Sequence, residues 1–383
     1  MNIDKPVIVI GTTHHNTLSI IRCLGHEHIK PSVILCEKEK VNSYIGCSKY
    51  VKECKHVESA ELAIDFLRSL DYGCRPTIIV CSDEVASIMD LHYTELESKF
   101  DFFNAGENGR ITRYMDKALQ TELAFSCNIN VPISSEHTIS DHVMPAFDTF
   151  PCIVKPLESI HGGKRFRICN DKVELANTCK EYQNGEKILI QQFIPKDYEI
   201  VIDGLSVDGQ IIIPGFVKKI RDLLGGTTYS ETHPISELPI QLVKSIEQMI
   251  REIHYEGLFG VECIVHDGLY FFVEMNLRND ATTYSLAIAG ENLPYLYCIA
   301  KQQRVIPSSA ATQIRILHTM VEFRDFDFVI KCKISLIKWL KQFHSCEGRF
   351  FFDAEDIAPY YLARKQYFKD KTNKLISLFK HLK

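Results

Sequence analysis

The sequence has a single Trp, no C-x-x-C pair among its 14 cysteines, and no run approaching the ~18 consecutive apolar residues needed to cross a bilayer. The missing C-x-x-C spacing argues against zinc ribbons, iron–sulfur sites and thioredoxin-type redox centres. Cys23, Cys36, Cys81, Cys152, Cys169 and Cys263 lie in apolar surroundings, so the cysteines read as reduced core side chains rather than disulfides, with one reactive thiol as the alternative. Residues 1–10 run straight into a β-branched segment with no charged-then-apolar leader, which predicts a cytoplasmic protein, neither secreted by such a signal nor membrane-spanning. The glycines of a dinucleotide fingerprint are also missing. After Val7-Ile-Val-Ile10 and Gly11 comes Thr-Thr-His14-His15-Asn-Thr, without the second and third glycines that let a pyrophosphate approach the backbone. Nicotinamide binding is therefore not expected, and His14 and His15 read as loop histidines near a cleft.

What is present is ordinary globular composition over 383 residues, enough for two to four domains at roughly 100–200 residues each. The net charge of −5 is unevenly spread. Residues 331–383 carry twelve Lys or Arg against five acids, a net +7, which leaves −12 for the first 330 residues. An acidic body is a poor nucleic-acid binder, and no nucleic-acid partner is expected. Apolar runs at 7–10, 32–36 and 77–81 alternate with helical patterns, which predicts a parallel, doubly wound layer over roughly residues 1–105. A helix over 113–127 follows, then hairpins pairing 200–207 with 210–217 and 260–265 with 269–274.

The strongest constellation is Glu262, Glu274, Asn276 and Arg278. The hairpin places Glu262 on one strand and Glu274 at the end of its partner, and the period of two puts Glu274, Asn276 and Arg278 on one side. Two carboxylates and an amide oxygen are hard ligands that suit Mg²⁺, and a neighbouring guanidinium can hold a phosphate or a developing oxyanion. Glu274 sits within Leu-Tyr-Phe-Phe-Val-Glu-Met, where an unpaired buried carboxylate would be costly. Lys155 ends an apolar strand and Lys117 opens a helix after Asp116; each is a suitable point charge for phosphate, and each alone reads equally as a solvated lysine. The turn Ser159–Gly163 offers backbone N–H groups.

The order of these features resembles the ATP-grasp superfamily, in particular its carboxylate–amine ligase branch, with D-aspartate-ligase-like and carbamoyl-phosphate-synthase-like members. The resemblance covers roughly residues 5–300: Asp116-Lys117, Val131-Pro132, Val154-Lys155-Pro156, a glycine-containing turn, Ile-Gln-Gln192-Phe-Ile-Pro, Glu199, Gly260-Val-Glu262 and Glu274-Met-Asn276-Leu-Arg278. It implies an α/β and α+β fold: a Rossmann-like pre-ATP-grasp domain over 1–110, a lid subdomain over 111–194 and a C-terminal lobe with the metal site over 195–315. A basic helical extension over 316–383 completes the chain.

By the same resemblance, Glu262, Glu274 and Asn276 hold Mg²⁺ (or Mn²⁺), and Lys117, Lys155 and the turn residues Ser159, Gly162 and Gly163 hold ATP phosphates. Backbone at Gln192, Phe193 and Ile194 meets adenine, Glu199 the ribose, and Arg278 the transferred phosphoryl group. Two departures from the pattern are Gln192, where many members carry an acid, and Leu277 in place of a proline. The segment from Lys218 to Thr228 reads as a mobile loop, with Gly225 and Gly226 as its hinge and Lys219 or Arg221 supplying charge to the phosphates; a basic surface loop is the alternative. Asn279, Asp280, Thr283 and Tyr284 are candidates for the acceptor.

The implied activity is an ATP- and Mg²⁺-dependent ligase that joins a carboxylate to an amine through an acyl-phosphate, adding an amino acid to a peptide, amino sugar or cell-surface precursor. A carboxylase or kinase on the same ATP site, or a binding module without turnover, are the alternatives. In the tail, Ile330, Ile334, Ile337, Leu340 and Phe343, and again Leu375, Leu378, Phe379 and Leu382, repeat at helical spacing opposite lysines. Such helices pack on their own domain or a second copy of the chain. The sharper alternative is a peripheral contact with a membrane or anionic glycan.

Overall fold

The computed structural model describes the chain except for residues 1, 2, 4, 39–42, 141–144, 157–165, 224–225, 307–312 and 382–383, and the side chains of 374–381. The strands are β1 (Val7–Gly11), β2 (Ser32–Cys36), β3 (Glu53–Val57), β4 (Thr77–Val80), β5 (Ser134–Thr138), β6 (Cys152–Pro156), β7 (Arg167–Cys169) and β8 (Lys187–Gln192). They continue with β9 (Tyr198–Val207), β10 (Gln210–Leu223), β11 (Gly226–Pro234), β12 (Gly257–His266), β13 (Leu269–Asn276), β14 (His318–Met320) and β15 (Gly348–Arg349). They form three sheets, and the fold class is mixed α/β.

The first sheet is parallel, in the order β3-β2-β1-β4. β1, β2 and β4 are apolar on both sides because both faces are covered, with Ile8 and Ile10 in one core and Val7 and Val9 in another, whereas the edge strand β3 is polar and largely exposed. Serine caps set the helices between strands; Ser59 and Ser82 accept from Leu62 N and Val85 N, so that Asp83 opens the helix Asp83–Leu91. The helix expected over 113–127 is broken. Asp116 accepts from the N–H groups of Ala118 and Leu119 and starts a new helix, Lys117–Ser126, after the short turn Arg110–Arg113.

The second sheet is antiparallel, in the order β5-β8-β6-β7, with its own apolar cluster around Cys152, Val154, Ile188 and Ile190. The third has seven strands in the order β13-β12-β9-β10-β11-β14-β15. Two of its hairpins turn on an aspartate–glycine pair with positive φ at both residues: Asp208 and Gly209 (φ 50° and 74°), then Asp267 and Gly268 (φ 49° and 75°). This is the backbone twist that two-residue hairpins need.

All 14 cysteines are free, and Cys23, Cys152, Cys169 and Cys263 are fully packed, whereas Cys36 and Cys81 are only half-buried. No helix among the described residues is long and apolar enough to cross a membrane. The C-terminal segment is built into the fold. β14 pairs with β11 and β15 with β14. The wholly buried Arg22 donates to the carbonyls of Phe350 (2.7 Å), Phe351 (2.8 Å) and Asp356 (3.0 Å), locking the tail to the first layer. In the helix Leu336–Ser345, Trp339 makes the buried contact, while Ile337 and Leu340 of the expected apolar stripe face solvent. Ile334 and Phe343 pack beside Trp339, and Leu375, Leu378, Phe379 and Leu382 lie outside the described side chains.

Candidate active site

The β12–β13 register sets Glu262 directly opposite Glu274 and Gly260 opposite Asn276, with an irregularity in the pairing just after Glu262. Like charges facing across a strand pair repel, and each carboxylate is answered by a lysine from another element. Lys219 on β10 donates to Glu262 at 2.6 Å and lies 3.3 Å from Glu199, and Lys117 at the start of its helix donates to Glu274 at 3.0 Å. Burial raises the Glu262 carboxyl to about 7 against the pull of Lys219, with Glu274 and Asp280 adding repulsion. Burial alone would depress Lys219, yet Glu262 and Glu199 outweigh it and hold the ammonium above the ordinary lysine value.

The strand that carries Glu274 and Asn276 is at the sheet edge, and its backbone between them is clamped by a buried side chain. Gln120 accepts from the Met275 N–H and donates to the Met275 carbonyl, both at 2.8 Å. Arg278 then turns toward the first layer. Its Nε and Nη2 donate to the two oxygens of Asp83 at 2.6 and 3.0 Å, and Nη2 also reaches Asn276 Oδ1 at 3.2 Å. Burial would lower the guanidinium, but Asp83 and Asp280 keep it above its usual value. A reciprocal contact reinforces the junction: Asn279 donates to Asn16 Oδ1 at 2.8 Å, and Asn16 donates to the Asn279 carbonyl at 3.2 Å.

These groups open onto one cavity of about 220 Å³ whose wall includes Glu262, Glu274, Asn276, Arg278, Asp280 and Arg324. His14 also reaches it as the N-cap of the helix His15–Gly25, and His15, expected in a loop, is the buried first residue of that helix. The fold thus brings together Glu262, Glu274, Asn276 and Arg278, with Lys117 and Lys219 bonded to the two acids. Lys155 on β6 donates to Gln191 at 3.2 Å, and burial, then the Lys117 charge, lowers it to about 8. Glu199 is held by Lys196 at 2.9 Å as well as by Lys219. In the stretch Gln192–Ile194, the first two N–H groups are taken by the carbonyls of Ile133 (2.7 Å) and Pro151 (2.9 Å). Ser159, Gly162 and Gly163 lie outside the described residues.

The expectation of a mobile loop between Lys218 and Thr228 is corrected. Up to Leu223 and again from Gly226 these residues are the paired strands β10 and β11, with Gly225 outside the described residues. Arg221 is fixed there: its guanidinium donates to both oxygens of the buried Asp325 at 2.9 and 2.7 Å and stacks over Tyr229. It is absent from the cavity wall, whereas Lys219 is buried beneath it. Of the acceptor candidates, Asp280 reaches the cavity, while Asn279, Thr283 and Tyr284 are packed behind it.

Sequence reading passed over Asp83, Gln120 and Arg324. Gln120 left a trace, as a polar residue on the buried side of its helix; Asp83 and Arg324 are ordinary surface types in sequence.

The donor set fits a hard divalent cation. Two carboxylates and an amide oxygen converge, and in their place among the described residues it is lysine ammonium groups that neutralise the acids.

Residues 123–289 match the ATP-grasp domain family. The carbamoyl phosphate synthase large chain of Sulfolobus acidocaldarius is 26% identical over 155 residues, covering 38% of this chain and 14% of that one. The formate-dependent phosphoribosylglycinamide formyltransferase of Bacillus subtilis is 29% identical over 138 residues, covering 34% and 35%. The chain therefore spans about a third or less of these two relatives. The solved L-amino acid ligase from Bacillus licheniformis superposes with a TM-score of 0.63 at 15% identity, over 83% of this chain and 80% of the other, a likeness of fold. The chain carries an ATP-grasp domain, and homologous stretches of that domain occur in carbamoyl phosphate synthases and in the formyltransferase.

Proposed function

We propose that the protein is an ATP- and Mg²⁺-dependent ligase that joins a carboxylate to an amine through an acyl-phosphate, with an amino acid as one substrate. The observation that carries this reading is the facing pair Glu262 and Glu274, each balanced by a lysine, with Asn276 and Arg278 at the same cavity. Bound there, Mg²⁺ would supply charge neutralisation between phosphate oxygens. Glu262, Glu274 and Asn276 would hold it, releasing Lys117 from Glu274 to meet phosphate together with Lys155. The depressed Lys155 is suited to that task, because an incoming polyanion supplies the counter-charge that its buried ammonium lacks and raises its pKa again. The Ile194 N–H, which has no acceptor among the described residues, and the neighbouring carbonyls would meet adenine, and Glu199 the ribose.

Arg278, oriented by Asp83, would stabilise the transferred phosphoryl group as it passes to the substrate carboxylate. An amine nitrogen then attacks the acyl carbon, the C–N bond forms, phosphate leaves, and the amine's proton is released. No side chain forms a covalent intermediate; positioning and charge carry the catalysis. The test is phosphate release from Mg-ATP across amino acids paired with candidate carboxylates. Release that needs both partners supports the ligase; release with bicarbonate favours a carboxylase; ADP formed from a single partner without free phosphate favours a kinase; nucleotide binding with no ADP formed in any pairing leaves a binding module.

A further inference from the structure

The two guanidinium groups on the cavity wall are in unlike states. Arg278 is paired with Asp83, whereas Arg324, on the helix Glu322–Ile330, makes no ion pair among the described residues. Its one hydrogen bond there runs from Nη2 to the Leu223 carbonyl at 3.0 Å. Burial lowers its pKa, and the acid that partly offsets this, Asp327, is occupied: its Oδ1 accepts from the Tyr367 hydroxyl and lies 2.6 Å from Lys371 Nζ. A half-buried cation without a counter-charge is costly unless a ligand supplies one.

Two neighbours favour an anion at this place. A Cβ on Gly226, which opens β11, would sit 2.7 Å from Arg324 Nη2, so the missing side chain is what leaves room for the guanidinium. His14 caps the first helix by accepting the Asn16 N–H at Nδ1 (3.2 Å). Partial removal from water, then Arg324 and Arg278, lower its pKa to about 4, so the ring is neutral at pH 7. With Nδ1 accepting, its proton sits on Nε2, making that edge a donor.

We propose that Arg324 and the Nε2 edge of His14 form a subsite for an anionic group on the acceptor amine, a carboxylate or a phosphate-like group. The inference rests on the ligase reading. The activated carboxylate gives up its charge to the acyl-phosphate beside Arg278, so a lasting counter-charge for Arg324 must come from the other substrate. Amino acids fit this requirement; simple alkylamines do not.

The test uses the full chain saturated with Mg²⁺ and β,γ-methylene-ATP, and measures binding of glycine, glycinamide and aminomethylphosphonate by ligand-observed NMR. All three carry the same amine. Glycine or aminomethylphosphonate is expected to bind on the order of 10–100-fold more tightly than glycinamide, and whichever prevails identifies carboxylate or phosphate as the partner. Arg324→Gln should remove that preference and Arg324→Lys restore part of it. Gly226→Ala, which keeps the charge but displaces it, should weaken it. Equal binding of charged and neutral amines, binding of none, or a preference unchanged in Arg324→Gln would overturn the proposal. Failure of the wild-type protein to bind the Mg-nucleotide would instead count against the ligase reading.

Discussion

The hairpins β10–β11 and β12–β13 belong to the same seven-stranded sheet, on opposite sides of β9, yet they use charge in opposite ways. In β12–β13 two acids face each other and repel, and the ammonium groups that relieve them come from elsewhere in the fold. In β10–β11 the guanidinium is settled against a neighbouring helix: Arg221 meets the buried Asp325 in a two-pronged contact that also takes the Thr228 hydroxyl at 2.8 Å, while Lys219 of the same strand reaches across to Glu262. The first hairpin keeps an electrostatic conflict that a metal and phosphates can resolve, while the second fixes Arg221 for rigidity and lends Lys219 to the first. Chemistry is expected where charges remain unresolved.

The sharpest way to break this contrast is at Glu274. Glu274→Gln should lower nucleotide-dependent phosphate release on the order of 10³-fold with an unchanged far-UV spectrum, because its partner Lys117 is half-exposed and adds little stability. An activity near that of the parent protein would remove Glu274 from the metal site.

Lys219→Met tests whether the buried lysine is a substitute cation. It strands Glu262 and leaves Glu199 to Lys196, so urea denaturation should reveal a loss of about 3–5 kcal/mol, with part of it regained in millimolar Mg²⁺. Equal stability with and without Mg²⁺ would make Lys219 purely structural.

For the second hairpin, Asp325→Asn should cost about 1–3 kcal/mol of stability while leaving phosphate release intact at temperatures where the variant is folded. A selective loss of activity would return this hairpin to the catalytic machinery.

The smallest effect is a proton. Lys155 is lowered to about 8 by burial, then by Lys117, so burying its charge costs stability at neutral pH. That cost is relieved as pH rises from about 8 toward the ordinary lysine value near 10.4. Phosphate binding would raise the pKa again. Calorimetry of Mg-ATP binding at about pH 9, in two buffers of different ionisation enthalpy, should therefore detect proton uptake that Lys155→Met abolishes.

The parallel layer and the β12–β13 hairpin were legible because their signals are local. β-branched runs alternate with helices, and Asp267-Gly268 takes the two positive φ values of a tight turn. The period of two then aligns Glu274, Asn276 and Arg278. The segment that carries Lys219 and Arg221 read as a loop for the same reason: a basic stretch near paired glycines looks like one until β9 and Asp325 are placed against it. Asp83 and Gln120 give no motif, since their partners lie 195 and 155 residues away.

The sequence by itself determined which chemistry-bearing residues exist and in what order, since hydrophobic period and turn chemistry act over a few neighbours. Only the tertiary structure decided which charges would be neutralised. Arg221 and Arg324 share no motif, and both are simply arginines in the chain. One is met by a buried carboxylate and the other is left facing the cavity, because Coulomb energy depends on distance and solvent exposure, which the fold alone sets.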